Sequence, residues 1–205
     1  VLLGFTSGIM ISVVCFDLLP EAFDMGGLPP SLFGIVLGVG MILVIEQFIP
    51  ERINESFSAD FGFIRSGILL GIGIAIHNFP EGLAVGSGFA ASDYLGLALV
   101  IGIHDMPEGV AMAVPLKMGG VNRLKILLYT VLAGIPMGLG AFMGELLGQI
   151  SRTFICLCLS FAGGAMLYIT CGELIPKTHS IYKGRISTIG MIAGIIFGII
   201  ISSII

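Results

Sequence analysis

Two six-residue segments hold the side chains best able to do chemistry: His77-Asn78-Phe79-Pro80-Glu81-Gly82 and His104-Asp105-Met106-Pro107-Glu108-Gly109. Both sit inside long apolar runs, where an ionisable group is expensive to place and marks a functional site by default. On a helix, residues four apart share a face, so His77 stacks with Glu81 and His104 with Glu108. Asn78 and Asp105 lie three residues before the same acids. Two antiparallel helices meeting along these faces would gather two imidazoles, three carboxylates and an amide. That donor set suits a divalent first-row cation such as Zn²⁺, Fe²⁺ or Mn²⁺, because imidazole favours the borderline metals over Ca²⁺ and Mg²⁺. Pro80 and Pro107 add to it: each lacks an N–H and frees a carbonyl one turn back, at Ile76 and Ile103. A Glu that merely pairs with its neighbouring His would explain one motif. It does not explain the whole pattern twice on consecutive apolar runs.

The elements that must position these groups are membrane spans. Of 205 residues, 56% are hydrophobic and 11% charged, with 31 glycines, and the mean hydropathy is +1.09. A soluble globule of this size could not be coated with so little polar surface. Roughly 20 helical residues cross a bilayer core, and Pro, Gly and charge divide the chain into seven apolar stretches: 1–20, 31–49, 64–89, 94–116, 124–147, 153–175 and 186–205. The runs are continuous rather than alternating, which favours helices over strands. The glycine excess allows helix backbones to approach closely where lipid supplies no hydrophobic drive. The fold class expected is therefore an all-α polytopic membrane protein, with 1–205 forming one transmembrane domain and 50–63 its longest polar connector.

With alternating spans, Arg52, Arg65, Lys117, Arg123, Lys125, Lys177, Lys183 and Arg185 collect on one side and only Arg152 on the other. The positive-inside tendency makes the first side cytoplasmic. A formal net charge of −4 argues against nucleic acid as a partner. Cys15, Cys156, Cys158 and Cys171 all lie in apolar runs, so no disulfide scaffold is expected.

Two internal repeats organise the chain. One is the pair of His motifs, on consecutive spans of opposite direction. The other matches Gly8-Ile9-Met10, Cys15 and Asp17-Leu18-Leu19-Pro20 with Gly164-Ala165-Met166, Cys171 and Glu173-Leu174-Ile175-Pro176, at identical internal spacing. The two copies run in opposite directions, as in an inverted-topology repeat. Symmetry predicts one further helix before the first span, giving three plus two plus three with both ends outside. Asp17 and Glu21 fall near the outer end of the first span, and Glu173 and His179 at or beyond the inner end of the sixth, in line as entrance and exit. Glu46 and Glu145 are assigned no role. Ser7, Ser12, Ser87 and Thr170 are expected to bond helix carbonyls.

The chain resembles the ZIP (Zrt/Irt-like) divalent-metal transporters of bacterial type. The resemblance covers residues 4 to about 180: Gly4-Phe5-Thr6-Ser7-Gly8-Ile9-Met10, Phe16-Asp17-Leu18-Leu19-Pro20-Glu21, both His-x-x-Pro-Glu-Gly motifs, and Gly163-Gly164-Ala165-Met166 with Gly172-Glu173-Leu174-Ile175-Pro176. It implies eight helices in a three-two-three arrangement with a central metal site, often binuclear. On that basis His77, Glu81, His104 and Glu108 are the main ligands, Asn78 and Asp105 complete an adjacent second position, Glu81 and Glu108 bridge, and Met10 reaches the first. Where members with a full second site carry Glu-Pro, this chain has Ile135-Pro136, so the second position is expected to be the weaker one. The family's His-rich cytoplasmic loop has no counterpart in 50–63.

The function expected is import of a divalent transition metal, Zn²⁺ first with Fe²⁺, Mn²⁺ and Cd²⁺ as alternatives, across the plasma (inner) membrane. The partners expected are the cation, the lipid bilayer and a second copy of the chain in a homodimer. The rival class is an intramembrane metalloenzyme. A zinc hydrolase would want His-Glu-x-x-His, and a di-iron oxidase Glu-x-x-His pairs. The motif here runs His-x-x-x-Glu.

Overall fold

A computed structural model describes the backbone of residues 1–49, 59–88, 94–147, 151–182 and 184–204, with side chains except those at 59–60, 88, 94–101, 103, 104 and 204. The described residues form a bundle of seven helices: α1 (Leu2–Gly26), α2 (Leu28–Phe48), α3 (Ala59–Gly88), α4 (Tyr94–Met118), α5 (Arg123–Leu147), α6 (Arg152–Ile181) and α7 (Arg185–Ile204). Among the described residues six stretches, in α1, α2, α3, α5, α6 and α7, are long and apolar enough to cross a membrane. Among the described residues there is no strand. Gly27 and Gly120, at φ 78° and 79°, make the turns between α1 and α2 and between α4 and α5, a backbone region that glycine enters without penalty.

Two boundaries differ from the sequence expectation for one physical reason. The first and sixth spans do not stop at Pro20 and Ile175 but continue to Gly26 and Ile181. Each contains a five-residue π-helical turn, Val14–Leu18 in α1 and Thr170–Leu174 in α6. Each π turn is followed two residues later by its proline. Proline has no N–H and collides with the carbonyl four residues back in a regular α-helix. A π turn widens the ladder at that point, so the helix passes the proline instead of ending there. The connector is also shorter than 50–63, since Ala59 to Phe63 form the start of α3; residues 50–58 lie outside the described residues.

The repeat extends further than the motif match. The constant offset that pairs Gly8 with Gly164 and Pro20 with Pro176 also pairs Ser31 with Ser187, Gly34 with Gly190 and Gly38 with Gly194, without a gap. The packing uses these positions crosswise: α1 lies along α7, and α6 lies along α2. A Cβ at Gly8 would overlap the Met191 carbonyl oxygen, and one at Gly194 that of Phe5; at Gly38 it would meet the Phe161 carbonyl and at Gly164 that of Ile35. A third close crossing joins α3 to α5, where Gly82 and Gly86 meet the Met137 and Ala141 carbonyls and Gly140 and Gly144 those of Phe79 and Leu83. Small residues four apart let backbones touch, with van der Waals and Cα–H···O contacts replacing the missing hydrophobic drive.

Helix α4 packs against α3, α1 and α5. Met10, Val14, Leu70, Met112, Met166, Ile169 and Leu174 belong to the shared core. The outer rows of α2, α5 and α7 expose Leu32, Val36, Leu128, Leu139, Ile192 and Ile196, as a lipid-facing surface must. Ser7 and Ser87 bond the Leu3 and Ala84 carbonyls at 2.6 and 2.8 Å as expected. Thr170 instead points its hydroxyl at the Met10 sulfur, 3.9 Å away, and the Ser12 hydroxyl has no partner.

Candidate metal pathway

The first His motif lies on α3 and the second on α4, each running through its proline without a break in the helix. The structure brings one ligand from each together. His77 is fully buried, and its Nε2 lies 3.0 Å from Glu108 Oε1, a carboxylate that is itself buried. This contact joins the two motif helices through side chains alone. The other ring nitrogen, Nδ1, makes no hydrogen bond. Glu81, one turn beyond His77 on the same face, is buried as well. Apolar walls and two buried acids around an imidazole leave few roles beyond ion handling.

Asn78 is buried and reaches toward α5. Its Nδ2 donates to the Ala133 carbonyl of α5 at 3.2 Å. Pro136 explains why α5 offers an acceptor nearby: without an N–H it removes the donor that the Leu132 carbonyl would use and disturbs the adjoining ladder. The amide nitrogen must be the donor to a carbonyl, which leaves Oδ1 buried without a hydrogen-bond partner and able to face a cation. Ile135 is 47% exposed. It lies two residues from Ala133 and so on the far side of α5, and a side chain at 135 is turned away from Asn78.

The remaining predicted residues are spread along the bundle. Asp105 lines a groove of about 540 Å³ between α4 and α5, with Met106, Gly109 and Thr130. The His104 side chain lies outside the described residues. Among the described residues no three of His, Cys, Asp and Glu gather closely enough to hold a metal ion by themselves. Met10 is buried, with its sulfur 3.9 Å from the Thr170 hydroxyl in the π turn of α6. At the end of the bundle opposite most of the basic residues, Glu21 lies within electrostatic reach of both Asp17 and Glu81, and Asp17 accepts a hydrogen bond from Ser202. At the basic end, Glu173 accepts a 3.0 Å hydrogen bond from Ser66 and pairs with Arg65. His179 is exposed there, with Nδ1 3.0 Å from the Ile175 carbonyl.

Sequence reasoning missed Glu46 and Arg65. Arg65 Nη2 lies 3.5 Å from Glu46 Oε1, and the Tyr168 hydroxyl donates to Glu46 Oε2 at 2.6 Å. The only signal was an acid and an arginine near the ends of adjacent apolar runs, which solvated helix ends also show.

Acidic groups therefore occur at both ends of the bundle and between them, with the central group shared by two helices. This is an all-helical polytopic membrane protein with a buried imidazole–carboxylate centre. A family model described as ZIP Zinc transporter matches residues 55–205. Similar proteins are the zinc transporter ZupT of Corynebacterium glutamicum, 34% identical over 94% of this chain and 82% of the relative, and ZupT of Akkermansia muciniphila, 33% identical over 95% and 82%. The zinc transporter GufA of Myxococcus xanthus is 36% identical over 82% of this chain and 68% of that protein. The chain belongs to the ZIP family. That membership sets the intramembrane metalloenzyme aside.

Proposed function

We propose that this protein carries a divalent transition metal, Zn²⁺ foremost, across the plasma membrane into the cytoplasm. The basic end of the bundle is the cytoplasmic end in this reading, because Arg65, Lys117, Arg123, Lys125, Lys177 and Arg185 lie there. The cation enters past Asp17 and Glu21, is held at the centre by His77, Glu81, His104 and Glu108, and leaves past Glu173 and His179. Asn78 and Asp105 serve a second, weaker position beside it, and Met10 contributes a soft contact at most.

The observation that carries this reading is the 3.0 Å approach of His77 Nε2 to Glu108 Oε1 in full burial. A cation taken between them replaces the proton they share, and each group then offers a lone pair to the metal. Because the two groups belong to different helices, a small relative shift of α3 and α4 strengthens or breaks the site. Transport needs that property, whereas a storage site does not. The zinc-transporter names of the relatives support the cargo.

The test is uptake of radioactive zinc into sealed vesicles containing only this protein. Saturable uptake is expected for the wild type and its loss for His77→Ala and Glu108→Ala. Vesicles that take up no zinc, or variants that take up as much as the wild type, would overturn the proposal.

A further inference from the structure

The basic end of the bundle contains a charge arrangement that the transport reading has not used. Arg65 lies twelve residues before His77 on α3, about 18 Å along the helix axis at 1.5 Å per residue. Its two terminal nitrogens reach different acids: Nη2 to Glu46 of α2 and Nη1 to Glu173 of α6, each at 3.5 Å. Arg65 and Glu173 are 15% exposed and Glu46 is 25%, so bulk water screens these pairs only partly. The acids are further held by the Tyr168 hydroxyl on Glu46 and the Ser66 hydroxyl on Glu173. Lys177 lies near Glu173, with its Nζ 4.2 Å over the Phe63 ring.

The internal repeat supplies a comparison within the same molecule. The offset that relates Asp17 to Glu173 also relates Ser202 to Glu46. At the opposite end of the bundle, Asp17 and Ser202 make the corresponding contact, a hydroxyl on a carboxylate. Among the described residues no ion pair forms there. At the basic end the equivalent positions are both acids, and two carboxylates on adjacent helices repel unless a cation stands between them. Arg65 provides that cation. Arginine suits the task because its planar fork can address two oxygens at once, which an ammonium cannot do in fixed geometry.

We propose that Arg65 is a latch at the inner end of the pathway: its guanidinium stands between Glu46 and Glu173 where the moving cation must pass, and ties α2 and α6 to α3 until that cation displaces it. This rests on the proposed import, in which Glu173 is part of the exit. A divalent ion arriving from the centre offers the two acids twice the charge in a smaller volume, and so competes for them. Once the ion has left, the guanidinium returns. Arg65 is thus a positioning residue that closes the inner end without itself binding the cargo. At the outer end Asp17, Glu21 and Asp24 have no such counter-ion among the described residues.

The experiment counts zinc bound to the purified protein by equilibrium dialysis at pH 7 and measures uptake by vesicles. Arg65→Gln leaves the two acids facing each other and is expected to bind one more zinc per chain than the wild type. The added equivalent disappears in Arg65→Gln/Glu173→Gln, and Arg65→Lys restores the wild-type count. Uptake by Arg65→Gln is expected to lose at least fivefold in maximal rate through slow release, with KM measured from outside unchanged within twofold. A folded Arg65→Gln with the wild-type zinc count, or one whose KM changes as much as its rate, would overturn the latch. If Arg65→Gln does not fold, the charge-balanced Arg65→Met/Glu46→Gln is read instead. A latch is dispensable for passage, so at least half of wild-type uptake is expected, and complete loss refutes it. Wild-type uptake tests import separately, so failure of import and failure of the latch are distinguishable.

Discussion

The sharpest test of the proposed centre compares two neighbouring acids of α4, Glu108 and Asp105. Glu108 is buried and 3.0 Å from His77 Nε2; Asp105 lines a groove toward α5 and is only partly buried. Replacing Glu108 by Gln removes one negative charge and keeps the shape, and the amide oxygen still accepts a hydrogen bond from His77. At a 4 Å separation and an effective dielectric of about 20, a unit charge pair is worth about 4 kcal/mol, hence roughly 8 for a divalent ion. The cation displaces the interaction that Glu108 already makes with His77, which offsets part of this gain, so about 4 kcal/mol of the attraction survives, roughly a thousandfold in affinity. For Asp105→Asn the partly buried side chain at the groove is screened more strongly than Glu108, toward the bulk-water limit. A dielectric near 80 gives about 1 kcal/mol per unit pair, or roughly 2 for a divalent ion, and ionic screening brings the loss to about tenfold. The assay is zinc affinity by calorimetry in detergent together with vesicle uptake, with thermal melting to show that both variants fold. Equal losses, within threefold, would refute the division of the site into a central position at Glu108 and a lesser one at Asp105.

Acidity gives a second test. Metal binding requires neutral imidazole and ionised carboxylate, so protonation of His77 and His104 opposes it, and affinity falls as pH drops below roughly 6.5, the reference value for histidine; equal zinc affinity at pH 7.5 and 5.5 would remove these residues from the site. Gly140→Val would force a branched side chain onto the Phe79 carbonyl and is expected to lower the melting temperature in detergent by several degrees, a cost of about 1–3 kcal/mol or more. Gly138→Ala, with nothing within 4 Å, is expected to leave the melting temperature unchanged; equal melting temperatures for the two variants would show that the α3–α5 crossing is not as close as described. A single cysteine at Leu28 should react with an impermeant reagent only from outside and one at Met118 only from the cytoplasm, and the reverse pattern would invert the direction proposed for transport.

Local chemistry was legible in the sequence, and contacts between distant residues were not. The His-x-x-Pro-Glu-Gly pair was visible because ionisable residues stand out in an apolar run, and the repeat because Pro20 and Pro176 sit at matched spacing. The π turns were hidden, since proline in a helix pattern ordinarily reads as a stop. Asn78 donating to the Ala133 backbone could not be foreseen from side-chain spacing, because the acceptor is a carbonyl 55 residues away. The Glu46–Arg65–Glu173 cluster joins three helices, and charge near the end of a span looks the same whether it meets water or a partner. Helix orientation was also weakly marked, because lipid-facing and core-facing residues are both apolar here. The glycines alone marked which faces touch.

The crosswise packing of the repeats has a consequence for how the protein is made. The glycine face of α1 is covered by α7, and that of α2 by α6, so α1 and α2 find these partners only after several intervening helices have been synthesised. Until then Gly4, Gly8, Gly34 and Gly38 are in contact with lipid, which cannot fit against a flat backbone surface. A chain interrupted before Arg185 therefore leaves α1 without its mate, and quality-control proteases that inspect the bilayer would meet an open seam rather than a smaller stable bundle.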